Sequence, residues 1–209
     1  MEGGKKSAVQ GNGSGENELF NVENNKNTEL SPVDYVTWVR NPENGLLKKK
    51  TIEELTFSAQ YKPIEYVACL EVGKSTIPES VLKSKKEELQ GMEYVDLKIE
   101  IPEGQGELLK HELHSAKQYD ERISYFSFQM QKDIFLVIDK DTVPCSLFHF
   151  ERAFDVAPSS TFLLGFSKGA KAGSAERTLV FHDQTFHKGF IKLNFKASDL
   201  LNIPKLKTI

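Results

Sequence analysis

The chain is short of cysteine, tryptophan and long apolar runs, with two cysteines and one tryptophan in 209 residues. Two thiols, Cys69 and Cys145, cannot build the disulfide framework of a small secreted scaffold, and neither has metal-ligand spacing. Each reads as a small buried hydrophobe. A Cys69–Cys145 bridge stays open, because spacing alone does not fix the separation of the two Cα atoms. The longest apolar run, Ile134 to Ile138, has strand length and falls far short of the roughly 20 residues a spanning helix needs. No basic start followed by an apolar core marks a signal peptide, which leaves either a cytoplasmic protein or one whose targeting segment is removed. An excess of either charge is also missing. Lys and Arg number 27 against 30 Asp and Glu, with no basic stripe of the kind that tracks a phosphate backbone. The runs Lys48-Lys49-Lys50 and Lys83 with Lys85-Lys86 read as solvated faces, the second answered at once by Glu87-Glu88. Nucleic acid is therefore not an expected partner.

What the chain does have is length for a self-sufficient core and 14 phenylalanines to fill it. Residues 1–30 read as a disordered linker, glycine alternating with Ser, Asn, Glu and Lys around a single apolar patch, Leu19, Phe20 and Val22. Residues 31–209 read as one domain. Ser31-Pro32-Val33-Asp34 combines a capping hydroxyl, a proline in the first helical position and a carboxylate at the positive helix end. A short helix burying Tyr35, Val36, Trp38 and Val39 should follow and stop at Asn41-Pro42-Glu43-Asn44-Gly45.

The period then falls to two. Leu55, Phe57, Ala59 and Tyr61 alternate with polar residues, a strand that Leu46 to Ile52 can pair with as a hairpin. Helices are expected from Pro63 through Leu70 and from Pro78 to Gln90, with Gly91 as the stop. Val95, Leu97, Ile99 and Ile101 mark another half-buried strand. A further helix is placed from Glu107 to Glu121 on the spacing of Leu109, Leu113 and Ala116. Strands then follow over 124–131, 134–138, 145–150, 161–166, 178–182 and 189–196, with a loop tip from Ser167 to Ser174. Short strands with polar connections and no intervening helices favour antiparallel pairing. The expected fold is α+β, a predominantly antiparallel β-sandwich or open barrel with three to four short helices, mostly in the N-terminal half.

No side-chain pattern in the chain matches a catalytic motif. His111-x-x-His114 on one helix could share a metal, but it is not the i, i+4 pair of the zinc proteases and has no third ligand at diagnostic spacing. Cys145 and His149 lie four apart on a strand, on one face but about 13 Å from each other, too far for a nucleophile and its base. Glu151 and Arg152 read as an ion pair or hydrogen-bonded corner at the end of that strand. Asp139-x-Asp141 reads as a turn rather than a calcium loop, and His182, Asp183 and His187 as parts of a polar connection. No catalytic, cofactor-binding or metal-ligating residue is assigned, and no cofactor is expected.

The segments Ser31 to Val39, Asn41 to Leu46, Phe57 to Pro63 and Val143 to Arg152 together resemble lipoproteins of the Bacteroidota envelope that have no assigned activity. That resemblance implies a domain held in the periplasm or at the outer membrane by a lipid anchor not present in this sequence, with the N-terminal linker as spacer. It also makes Asp141-Thr142-Val143 similar to a short O-glycosylation acceptor, although a plain turn explains the same residues. The expected function is a non-enzymatic envelope domain that binds or scaffolds a protein partner. The alternatives are a sugar- or lipid-binding module, or a metal-dependent hydrolase using His111, His114, His149 or His182.

Overall fold

Alternation along the strands decides the architecture, because a strand with one greasy face must curl that face around a core. The computed structural model describes residues 28–104, 106–152, 154, 156–169 and 175–209. The apolar patch Leu19-Phe20-Val22 and most of the linker lie outside the described residues, as does the end of the loop tip from Ser167 to Ser174. The linker boundary moves slightly, since Glu29–Leu30 form a short strand, β1.

Helix α1, Pro32–Arg40, starts at Ser31, whose hydroxyl accepts from the Asp34 amide. It buries Tyr35 and Val39 and leaves Val36 and Trp38 half-exposed. The hairpin β2, Leu47–Ile52, and β3, Leu55–Lys62, forms in the register Leu47 to Gln60 and Ile52 to Leu55. Helices α2, Ile64–Val72, and α3, Glu79–Leu89, follow, then strand β4, Met92–Glu100.

The C-terminal half contributes β5, Ile134–Ile138, β6, Asp141–Glu151, β7, Ser159–Ser167, β8, Arg177–Asp183, and β9, Gly189–Phe195. Strands β2 to β9 form a single antiparallel sheet in the order β2-β3-β4-β7-β6-β5-β8-β9. Its two edges come back together: β9 touches β2 and β3, and the Tyr61 and Phe195 rings meet at 5.7 Å. The protein is thus α+β, and its sheet is a nearly closed barrel.

The barrel is solid. Leu55, Phe57, Val95, Leu97, Ile99, Ile134, Leu136, Phe162, Phe166 and Phe195 are all fully buried, each side chain contributing roughly 1.5–3 kcal/mol on transfer from water. One end is stoppered by a segment expected otherwise. Residues 107–121 do not form one helix: a short 3-10 turn, Leu108–Lys110, is followed by helix α4, Ala116–Ser124, restarted where Ser115 accepts from the Gln118 amide. Nor are residues 124–131 a strand. They continue α4 as a π-helical turn, Tyr125–Gln129, and a 3-10 turn, Met130–Asp133. The aromatic density of Tyr125, Phe126 and Phe128 mimics a strand, but Arg122, Phe126 and Met130, four apart, are the buried positions. Phe126 drives its ring edge-on against Phe150, Phe162 and Phe186, at 5.6, 5.1 and 6.4 Å.

A second core lies outside the barrel wall, where α1, α2 and α3 pack Tyr35, Val39, Leu46, Tyr66, Cys69, Ile77 and Leu82. The outward Gln60 ties it to the sheet by donating to the Val39 and Leu46 carbonyls. Helix α5, Ala197–Leu201, and strand β10, Lys205–Leu206, both unforeseen in the sequence, close the chain, β10 pairing in parallel with β1. The described residues form five short α-helices, three of them in the N-terminal half, in keeping with the expected α+β architecture. No helix among the described residues is long and apolar enough to cross a membrane.

Candidate functional site

A barrel with a filled interior meets other molecules only through its outer wall, its ends and its flanking grooves. At one end the wall closes over a buried ion pair. Arg177 donates to both Glu93 oxygens, from Nε at 3.0 Å and Nη2 at 2.9 Å, and the Tyr61 hydroxyl donates to the same carboxylate at 3.2 Å. Burial works against the Arg177 charge, yet the hydrogen bonds and charge of Glu93 outweigh it and hold the guanidinium pKa above its ordinary value. Burial, followed by the neighbouring Glu93, pushes the Tyr61 phenol up. This cluster is buried and ties that end of the barrel together.

The opposite rim is more reactive in composition. The β2–β3 turn carries Glu53 and Glu54, the stopper carries His111 and Glu112, and the β8–β9 connection carries His187 and Lys188. Three of these sit at positive φ without being glycine: Glu53 at 54°, Glu112 at 48° and His187 at 59°, conformations that cost energy and are held by their surroundings. His111 Nε2 lies 3.1 Å from Glu54 Oε1, and Lys188 Nζ reaches the same oxygen at 3.3 Å while also pairing with Glu53. Hydrogen bonds from its own backbone and from His111 hold the Glu54 carboxyl down at about 2.

The loops under this rim are pinned. Arg122 donates to the Leu109 and His111 carbonyls and lies over the Phe186 ring, which also packs on His111 at 6.0 Å. Asp183 accepts from the amides of Thr185, Phe186 and Lys188. One donor atom from each of Glu54, His111 and Glu112 falls within 4.8 Å of the others, the one grouping of metal-ligand spacing among the described residues. His114 is exposed in a separate turn, where its amide donates to Gln118. The histidine pair read as sharing a helix face therefore does not form.

The other histidines stand on the outer wall. His149 is exposed on β6, while His182 on β8 stacks against Phe190 at 4.2 Å. A β-bulge between Cys145 and Leu147 reverses the side-chain alternation, so Cys145 points into the barrel and His149 out of it. The single-face expectation for these two residues is thereby corrected. Both cysteines are free, Cys145 in the barrel and Cys69 in the second core. Burial pushes both thiols up to about 11. Arg152 closes its corner with Glu107, at 2.7 Å, and with the Tyr119 hydroxyl, so its carboxylate partner comes from 45 residues away instead of from adjacent Glu151.

Comparison with family models, curated proteins and solved structures finds no match.

Two surfaces remain. On the outer wall, the rung Pro144, Phe135, Val180, Lys192 runs across β6, β5, β8 and β9, beside Val137, Thr142 and Phe190. Phe135, Val137, Thr142, Val180, Phe190 and Lys192 line a shallow depression of about 350 Å³, and Phe190 is 59% exposed. Elsewhere a groove of about 410 Å³ lies between the β1–β10 pair and the helices, walled by Pro63, Leu82, Ile203 and Pro204, with Glu65 and Lys86 paired at 2.7 Å. Tyr35 is fully buried at its base, and its hydroxyl finds no hydrogen-bond partner among the described residues. Burial and then the nearby Glu65 push that phenol well up, so it stays a neutral donor.

Proposed function

We propose that this chain is a non-enzymatic domain of the cell envelope that binds a protein partner through the outer wall of β5, β6, β8 and β9. The observation that carries the reading is the apolar patch of Phe135, Val137, Pro144, Val180 and Phe190 on a sheet face that normally alternates to polar. A filled barrel supports it, because an interior packed with phenylalanine leaves recognition to the outside. Lys192 is the charged residue lining the depression, so the fitting partner presents an apolar surface with a carboxylate at its margin.

A photo-crosslinking residue at position 190, introduced in the native host, is the direct test. It should give an adduct with another envelope protein that Val180→Glu abolishes. The same residue at position 98, on the polar outer face of β4, should give none. Equal adducts from both positions, or an adduct insensitive to Val180→Glu, would remove the reading, and an adduct of twice the chain mass would make the partner a second copy. Fractionation of the native protein tests the anchor: recovery without membrane from untreated cells counts against it.

A second reading, a module for a sugar or lipid, is supported by the unpartnered Tyr35 hydroxyl beneath a groove with apolar walls. Thermal-shift screening against glycan and lipid panels tests it, and no stabilisation by any member would count against it.

A further inference from the structure

We propose that Glu54, His111 and Glu112 bind one divalent transition-metal ion of the zinc class at the barrel rim, and that the ion pins the β2–β3 turn to the stopper. This goes beyond partner binding and does not depend on it. The donor set is one imidazole nitrogen and two carboxylates, all within 4.8 Å of one another. Zinc binds such donors at about 2.0–2.2 Å, which places neighbouring ligand atoms about 3.4 Å apart around a tetrahedral ion. His111 and Glu54 already stand at 3.1 Å, and Glu112 is exposed, so rotation of its free side chain closes the remaining distance.

A hard cation fits worse. Calcium and magnesium take six or more oxygens, whereas an imidazole beside two carboxylates suits zinc and its neighbours. The groups facing the site are Glu53, Asp183, Lys188 and Arg122, the last engaged with main-chain carbonyls. Lys188 now occupies the cation position against Glu54 Oε1 at 3.3 Å. Binding an ion there displaces its ammonium from Glu54 while its contact with Glu53 is retained. His111 is already oriented by the Phe186 ring and by Arg122 on its own carbonyl, so little ordering remains for the ion to impose.

The test uses the tag-free full chain after chelator treatment, titrated with zinc in competition with a chromogenic chelator. One zinc per chain is expected, with affinity reduced at least tenfold by His111→Ala and by Glu54→Gln. Lys188→Met should tighten binding severalfold by removing the competing charge. His114→Ala should leave affinity unchanged. Glu112→Gln, at an exposed position, should weaken binding even if the His111 variant fails to fold. Absence of zinc binding, wild-type affinity in Glu112→Gln, or no tightening in Lys188→Met would overturn the site. Magnesium should not compete at tenfold excess over zinc, and effective competition would equally defeat a zinc-class assignment.

Discussion

Removing Glu93 should cost far more stability than removing a charge from the surface. Its side chain and that of Arg177 are 2% and 3% exposed, and they share two hydrogen bonds of 2.9 and 3.0 Å. Glu93→Ala leaves the guanidinium without that carboxylate in a buried barrel end and also strips the Tyr61 hydroxyl of its acceptor. Breaking one partner out of a buried pair costs about 3–5 kcal/mol. For a domain of this size, each kcal/mol lowers the melting temperature by about 2–4 °C, so the transition should fall by about 6–20 °C. The double variant Glu93→Met with Arg177→Met removes both charges at similar volume and should recover most of that loss. Urea titration followed by the single tryptophan, Trp38, and by circular dichroism measures all three proteins. If Glu93→Ala stays within about 1 kcal/mol of the parent, or the double variant is no more stable than Glu93→Ala, the pair is not what seals this end.

Phe126→Ala should lose about 3–5 kcal/mol, the usual cost of truncating a buried ring that others pack against, seen as a lower urea midpoint with the far-ultraviolet spectrum retained. Both thiols, pushed up to about 11 by burial, should react with alkylating reagents only on unfolding: at pH 8 the thiolate is about one part in a thousand, against about a quarter for an unperturbed thiol. Because the fold favours the protonated thiol, stability should be fully present below about pH 8.5, the ordinary thiol value, and decline as pH rises through about 11, followed by urea midpoints at stepped pH. Gly45→Ala should destabilise more than Gly91→Ala. Both have positive φ, but a Cβ at Gly45 would fall 2.0 Å from an Asp199 oxygen, whereas at Gly91 it meets nothing within 4 Å. Tyr35→Phe removes a buried hydroxyl that lacks a partner and should leave stability equal or raise it by about 1 kcal/mol, checked by thermal melting. A clear loss would mean that the hydroxyl is bonded.

Features that depend on neighbouring residues were legible before folding. Ser31-Pro32-Val33-Asp34 sets its helix start because cap, proline and carboxylate act within one turn. The alternation of Val95, Leu97 and Ile99 with Asp96 and Lys98 makes a half-buried strand wherever it is placed, and the polar break at residues 53–54 closes the β2–β3 hairpin. Tertiary structure decided the rest, because it depends on groups brought together from distant parts of the chain. Tyr125 to Phe128 carry the composition of a strand, and only the open barrel end makes a continued helix, with Phe126 inside, the better burial. Bulge formation at Cys145 moved His149 to the opposite face by adding one residue to one side of a ladder. Of the rim of Glu54, His111 and Glu112, only His111 stood out in the sequence, and with the wrong partner: His111 and Glu54 lie 57 positions apart, and proximity over that distance follows from barrel closure and from the Arg122 anchor, not from spacing along the chain.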